Sequence, residues 1–353
     1  MREPVAVFDG HNDTLLKLEI AARQGRALDF AAASPALNID LPGARRSGFA
    51  GGFFAMFTPS HLDRFDGSFD PDDPGNFDPI GQPEALNFTL AMFARLRRLA
   101  RKLPEDLAIC RDAPEIRDAI ARHRIAILPH VEGAECIDTD FNALEVLHAA
   151  GLRSLGLVWS RENAFGHGAP IDAQPVPEPG KGLTDAGFAL VRECDRLGIL
   201  IDLSHLTEAG FWDVAATTNR PLIATHSNAH AISPSARNLT DRQLSAVAET
   251  GGIVGLNFHV GFLRADCAPD SDTPIAQMVR HLDHMLGILG EDGVALGSDF
   301  DGCLLPRDIG GVAGLPRLVS GMRDAGFGEP LIHKICRDNW LVAIARGLPE
   351  TAA

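Results

Sequence analysis

Eight short apolar runs alternate with helix-like segments along the chain, and no other feature limits the fold as strongly. The runs occupy residues 5–8, 47–57, 125–131, 154–159, 199–203, 221–225, 252–258 and 293–298. Segments with helical periodicity lie between them, at 15–22, 84–103, 113–122, 142–150, 184–197 and 274–289, with further helices starting at Thr207 and Thr240. Two more, 315–324 and 330–345, follow the last run. Their ends carry helix punctuation: Pro114 in a first turn, Thr184 ahead of one helix with Gly198 past its end, and a capping box at Thr240-Asp-Arg-Gln243. Strands that alternate with helices pair in parallel through crossovers, and eight units over about 300 residues suit a closed (β/α)8 barrel of the TIM type. The alternative is an open doubly wound sheet. Against it, Gly10-His-Asn-Asp after the first run is not G-x-G-x-x-G, and neither a P-loop nor a nucleophile elbow occurs. The expectation is one catalytic barrel over 1–353, with long polar loops at about 60–83 and 160–182.

The residues that end these runs carry the chemistry. His11 and Asp13 follow the first, Glu132 the third, His205 the fifth, His226 the sixth and Asp299 the eighth. In a parallel barrel all these ends lie on one rim, where active sites are built. Each residue alone has a plain alternative: a helix cap at Asp13 or His205, an interior hydrogen bond at Glu132, a surface turn at His226. Together, three imidazoles and three carboxylates suit one or two divalent ions. Six donors overfill a single catalytic zinc, which takes three protein ligands and water, but serve a pair about 3.5–4 Å apart with one bridging carboxylate. Such a pair makes a hydroxide nucleophile and polarises a carbonyl, so amide or ester hydrolysis follows. His130 shares strand parity with Glu132 and is read as packing behind the ligands. His167, His230 and His259 are rim candidates for substrate contact, whereas His61, His123, His148, His281, His284 and His333 read as structural.

Composition narrows the partners. A net charge of −15 argues against nucleic acid, and the basic run from Arg95 to Lys102 reads as a solvated helix face. No apolar run approaches the roughly 20 residues of a membrane span, and the amino terminus leads almost directly into the first run, without a signal peptide. Six scattered cysteines without a CxxC pair fit reduced thiols in a cytoplasmic protein. Tyrosine is absent, which excludes any mechanism that needs a phenol.

Six motifs then occur in order between residues 9 and 302: Asp9-Gly-His11-Asn-Asp13, Val131-Glu132-Gly133, Asp202-Leu-Ser-His205, Thr225-His226-Ser227, Ser235-Ala-Arg237-Asn238 and Gly297-Ser-Asp299-Phe-Asp301-Gly302. With them the chain resembles the membrane dipeptidase (renal dipeptidase) family of binuclear zinc metallopeptidases, amidohydrolase-type barrels, in a soluble bacterial form. The resemblance implies that His11 and Asp13 hold one Zn2+, that His205 and His226 hold the other, and that Glu132 bridges them. Manganese, cobalt or iron could also occupy such N/O sites. It further implies that Asp299 moves the proton from the bridging hydroxide's parent water to the leaving amine, and that Arg237 pairs with the carboxylate of a small dipeptide. The alternative for Arg237 is a surface salt bridge ahead of the Thr240 helix. The family cleaves dipeptides, often with a D-residue at the carboxyl side; some members open β-lactams, and many are homodimers. Two departures concern the substrate. Trp159 stands where the renal enzyme has a substrate-contacting histidine, with Arg161, Asn163 or His167 as stand-ins. The family tyrosine after the seventh run has no counterpart, leaving His259 or Phe262 there. Expected substrate contacts are therefore Arg237, Trp159, Asn163 and His259. The secretion, disulfide linkage and lipid anchor of the renal enzyme find no support. The rivals are a binuclear hydrolase of another amide, β-lactam or ester, and a non-catalytic metal-stabilised binding protein. A phosphotriesterase-like enzyme is less favoured, since residues 154–159 offer no lysine to carbamylate.

Overall fold

All eight expected runs form strands, and they pair in parallel in chain order. The structure, a computed structural model, describes residues 3–63, 65, 73–171 and 180–348. Residues 64 and 66–72 of the expected loop 60–83, and residues 172–179 of the loop 160–182, lie outside the described residues. The strands are β1 (Val7–Asn12), β2 (Phe49–Phe57), β3 (Leu107–Ile109), β4 (Ile125–Glu132) and β5 (Ser154–Gly156). They continue as β6 (Leu200–Asp202), β7 (Ile223–Ala224), β8 (Ile253–Leu256) and β9 (Val294–Leu296). The order is β1-β2-β4-β5-β6-β7-β8-β9. Backbone bonds from Asp299 N–H to His11 O (3.0 Å) and from Asp13 N–H to Phe300 O (2.7 Å) join the last unit to the first and nearly close the barrel.

Sequence reading missed β3. It pairs with the first residues of β4 (Leu107 opposite Ile125), while β5 pairs with the last ones (Glu132 opposite Gly156), so the two share one edge of β4. Three residues are too few to show a period of two. Several strands are also shorter than expected because the backbone leaves the ladder before the side chains leave the core. β5 stops at Gly156, yet Leu157, Val158 and Trp159 stay buried. The expected helix 330–345 is divided into Glu329–His333, a π-helical turn at Lys334–Asp338, and Asn339–Gly347. A short helix at Leu41–Ser47, capped by Asp40 accepting from Gly43 N–H (2.7 Å), was not foreseen.

Two apolar layers hold the barrel. The outer one packs Leu15, Phe88, Leu144, Leu190, Leu244 and Met278 of the helices against the strands. The inner one plugs the amino-terminal end with Phe8, Phe53, Leu128, Ile344 and Trp340, whose indole N–H donates to Leu296 O (2.8 Å). Higher in the barrel the backbones crowd around Thr225. A Cβ on Gly255 or Gly297 would lie 2.1 or 1.9 Å from Thr225 O, so any side chain there would push Thr225 and His226 off the axis. All six cysteines are free thiols, and among the described residues no helix is long and apolar enough to cross a membrane.

Candidate metal centre

The carboxyl ends of β1, β4, β6 and β7 deliver five buried donors to one point. His11 lies near the end of β1 and is 0% exposed; Glu132 is the last residue of β4. Asp13 occupies the N-cap position of the helix Thr14–Arg23, but its side chain makes no capping bond, so the cap alternative fails and the carboxylate stays free. His205 is turned inward from the loop after β6 by a left-handed backbone (φ 71°). Glu132 is the hub. Its Oε2 is 3.5 Å from His11 Nε2; its Oε1 is 3.0 Å from His205 Nε2 and 3.6 Å from His226 Nε2. Asp13 Oδ2 is 3.4 Å from His11 Nε2.

The outer ring nitrogens of the histidines at β6 and β7 are anchored, which aims Nε2 inward. His205 Nδ1 meets Ser160 Oγ and His226 Nδ1 meets Thr225 Oγ1, both at 2.8 Å. The two Nε2 atoms then face each other at 3.1 Å. Burial holds both imidazoles well below their ordinary pKa, with repulsion from nearby cationic groups adding to it, which favours the neutral form that a metal ligand needs. Burial raises Glu132 to about 7, opposed by His11. At His11 burial disfavours the charge, but Glu132 and Asp13 outweigh it and hold the ring above its usual range. A cation would relieve all these conflicts. Among the described residues, His11 Nδ1 and Nε2 and Asp13 Oδ1 are buried with no hydrogen-bond partner, a state rare for buried polar atoms. Two groups with donor atoms mutually within 4.8 Å, His11–Asp13–Glu132 and Glu132–His205–His226, share Glu132, and their imidazole and carboxylate donors fit a borderline divalent ion. A third group would use Asp202 with His11 and His226. The Asp202 carboxylate, however, already accepts from Ser204 N–H (3.0 Å), Thr225 N–H (2.8 Å) and Thr225 Oγ1 (2.5 Å), and so buttresses the loop instead. His130 stands behind His11, its ring centroid 5.4 Å away and its Nδ1 3.0 Å from Ser154 Oγ.

Asp299 and Arg237 flank this cluster. Asp299 follows β9, also in the left-handed region (φ 58°); its Oδ2 accepts from Asn257 Nδ2 (3.0 Å), and burial raises its pKa. Arg237 is 3% exposed and makes no ion pair among the described residues, which removes the surface salt-bridge alternative. Among the described residues its Nε and Nη2 have no hydrogen-bond partner, and its guanidinium carbon sits 5.5 Å from the centre of the Phe262 ring. Burial lowers its pKa to about 10, opposed by Asp299 and Glu132. Arg237 lines a cavity of about 320 Å³ with Ser227, His230 and His167.

The remaining expected contacts divide. Trp159 is 6% exposed, stacked on Phe77 (5.5 Å, 16°) and 5.9 Å from the His205 ring, and forms a wall beside the cluster. His259 accepts from Gly261 N–H (2.9 Å), stacks on Phe262 (4.4 Å) and is held neutral near pKa 4 by burial and by Arg237. Asn163 braces its own loop: its Nδ2 donates to Leu157 O and its Oδ1 accepts from Phe165 N–H, both 2.8 Å. Arg161 is likewise engaged, donating to Glu135 (2.8 Å), Thr58 O (2.6 Å) and Ser60 Oγ (3.2 Å). Sequence reasoning missed Asn257, Ser160 and Ser227. Asn257 directly follows β8, and the rule that found Glu132, a polar residue closing an apolar run, would have found it.

Comparison with known proteins gives the family. The family model for membrane dipeptidases, peptidase family M19, matches residues 1–346. The crystal structure of a dipeptidase of family M19, a metallopeptidase, is 45% identical, with a TM-score of 0.89 over 98% of this chain and 99% of that one. A metallopeptidase from Rhodobacter sphaeroides, solved with a phosphinate mimic of L-Ala-D-Ala, is 43% identical with the same TM-score of 0.89 and the same coverage, 98% and 99%. An uncharacterised protein from the pqqA 5′ region of Klebsiella pneumoniae is 45% identical over 258 residues, 73% of this chain and 95% of its own length. The chain belongs to the M19 family of membrane dipeptidases and is a metallodipeptidase.

Proposed function

We propose that the chain is a binuclear zinc dipeptidase acting on small dipeptides, including those with a carboxyl-side D-residue. The observation that carries the metal count is the division of Glu132: one oxygen faces His11, the other faces His205 and His226. His11 and Asp13 would hold one ion, His205 and His226 the second, and Glu132 both. When bound, such ions supply Lewis acidity toward the scissile carbonyl and make water acidic near neutral pH. Everything else falls to the chain's own side chains. The unpaired Nε–Nη2 edge of Arg237 receives the dipeptide carboxylate side-on. Trp159, packed on Phe57 (4.9 Å) and Phe77, excludes water beside His205. As water's oxygen bonds to the carbonyl carbon and the C–N bond breaks, Asp299 takes the water proton and returns it to the departing nitrogen. Asn257 holds one of its oxygens in place for this transfer. The Arg237 edge favours a free-carboxylate substrate over a simple ester. Acceptance of a carboxyl-side D-residue is supported by the L-Ala-D-Ala mimic bound to the Rhodobacter sphaeroides relative.

Metal analysis coupled to a panel of L,L-, L,D- and D,D-dipeptides tests the reading. Two equivalents of zinc and turnover abolished by a chelator are expected; a single equivalent, or turnover that survives full metal removal, overturns it. Asp299→Asn should lower kcat by about 10²–10⁴-fold with metal content retained. Arg237→Ala should raise KM for free-carboxylate dipeptides about a hundredfold and leave dipeptide amides unaffected.

A further inference from the structure

Three stretches distant in sequence meet at Asp301, which takes no part in the proposed metal cluster. Its Oδ1 accepts from Asn38 N–H (2.8 Å), while its own N–H donates to Asn38 Oδ1 (2.7 Å), so the two residues close a reciprocal ring. Its Oδ2 accepts from Thr14 Oγ1 (2.8 Å). Asn38 is in turn fixed by its carbonyl, which accepts from Val312 N–H (2.9 Å). The turn held this way is unfavourable by itself. Asp299 and Asp301 both have left-handed backbones, φ 58° and 68°. Non-glycine residues are strained there and persist only where their surroundings over-determine them. The turn also has little freedom to relax: a Cβ on Gly302 would lie 2.2 Å from Asp13 Oδ2 and 2.6 Å from Asp299 Oδ1. A shift of the turn by less than a bond length would therefore move Asp299 relative to Asp13.

We infer that Asn38 and Asp301 form a clasp that positions the Asp299 carboxyl for proton transfer, making Asn38 a remote positioning residue for the hydrolysis. The inference rests on the proton role proposed above for Asp299. Asn38 itself is half-buried in the loop before the helix Leu41–Ser47 and belongs neither to the donor cluster nor to the cavity beside Arg237.

Kinetics of the metal-loaded enzyme on a dipeptide and on its ester (depsipeptide) counterpart provide the test. A departing amine needs a proton more than a departing alkoxide does, so misplacing Asp299 should penalise the amide selectively. Asn38→Ala is expected to lower kcat for the dipeptide about ten- to a hundredfold, with KM and metal content unchanged and a smaller fall on the ester. Asp301→Ala should reproduce this. Asp301→Asn should restore most of kcat, because an amide can still accept from Asn38 N–H and can donate to the Thr14 hydroxyl. An equal fall on amide and ester, an unchanged kcat in Asn38→Ala, or failure of Asp301→Asn to exceed Asp301→Ala overturns the clasp. Failure of the underlying reading looks different: Asp299→Asn would then keep full dipeptide turnover whatever Asn38 does.

Discussion

The two ends of this barrel follow opposite rules. At the amino-terminal end Phe8, Phe53, Leu128 and Trp340 form a dry plug whose indole N–H is satisfied. At the carboxyl end buried imidazoles, carboxylates and a guanidinium crowd together. Of the ten buried side-chain polar atoms without a partner among the described residues, eight lie on residues at or beyond that rim; the other two are His130 Nε2, inside β4, and Arg124 Nε. The left-handed aspartates and His205 lie there too. One end thus makes the fold stable, and the other keeps unsatisfied groups that a ligand must complete.

Substitution at each end should give crossed results. His11→Ala should lower dipeptide turnover by more than about a hundredfold, since losing even a support behind a ligand costs 10–100-fold. It should also reduce the rise in melting temperature expected of the parent on adding zinc, about 2.7 kcal/mol per site at a hundred times Kd. Trp340→Ala removes a fully buried indole and should cost about 3–5 kcal/mol of unfolding free energy. Its folded fraction should keep the parent kcat and the zinc-induced stabilisation. Urea unfolding with and without zinc, beside steady-state rates, reads both. A Trp340→Ala protein with impaired kcat in its folded fraction would break the division between the ends.

The same division explains what could be read from sequence. The eight barrel strands were legible because each carries a continuous apolar run, and the rim residues were legible because five of the runs lead into a histidine or carboxylate. β3 and the helix Leu41–Ser47 were not, being too short to repeat an apolar period often enough to stand out. Asn163 and Arg161 looked available because sequence gives residue type without hydrogen-bond partners, and their partners are mostly backbone carbonyls and loop hydroxyls brought close only by the fold. Asn38 was invisible for a related reason. Its relation to Asp301 spans most of the chain and follows no period.

A smaller effect separates two buried histidines that composition cannot tell apart. His11 has neither ring nitrogen hydrogen-bonded, whereas His281 has both: Nδ1 accepts from Ala229 N–H (3.2 Å) and Nε2–H donates to Leu263 O (2.9 Å). That pattern is available only to the neutral ring, and burial lowers the His281 pKa from 6.5 to about 4, with the Leu263 carbonyl opposing. Between those values the unfolded chain binds the extra proton and the folded one does not, so His281 contributes its full stability above pH 6.5 and loses it as pH falls toward 4. The loss should reach about 1.4 kcal/mol by pH 5.5. Urea unfolding of the metal-free protein at pH 7 and 5.5, compared with His281→Gln, isolates it from the rim histidines, which titrate in both proteins. The variant should lose less stability on acidification than the parent. Equal losses would mean that His281 is protonated without opening its site, and that its complete bonding does not set it apart from His11.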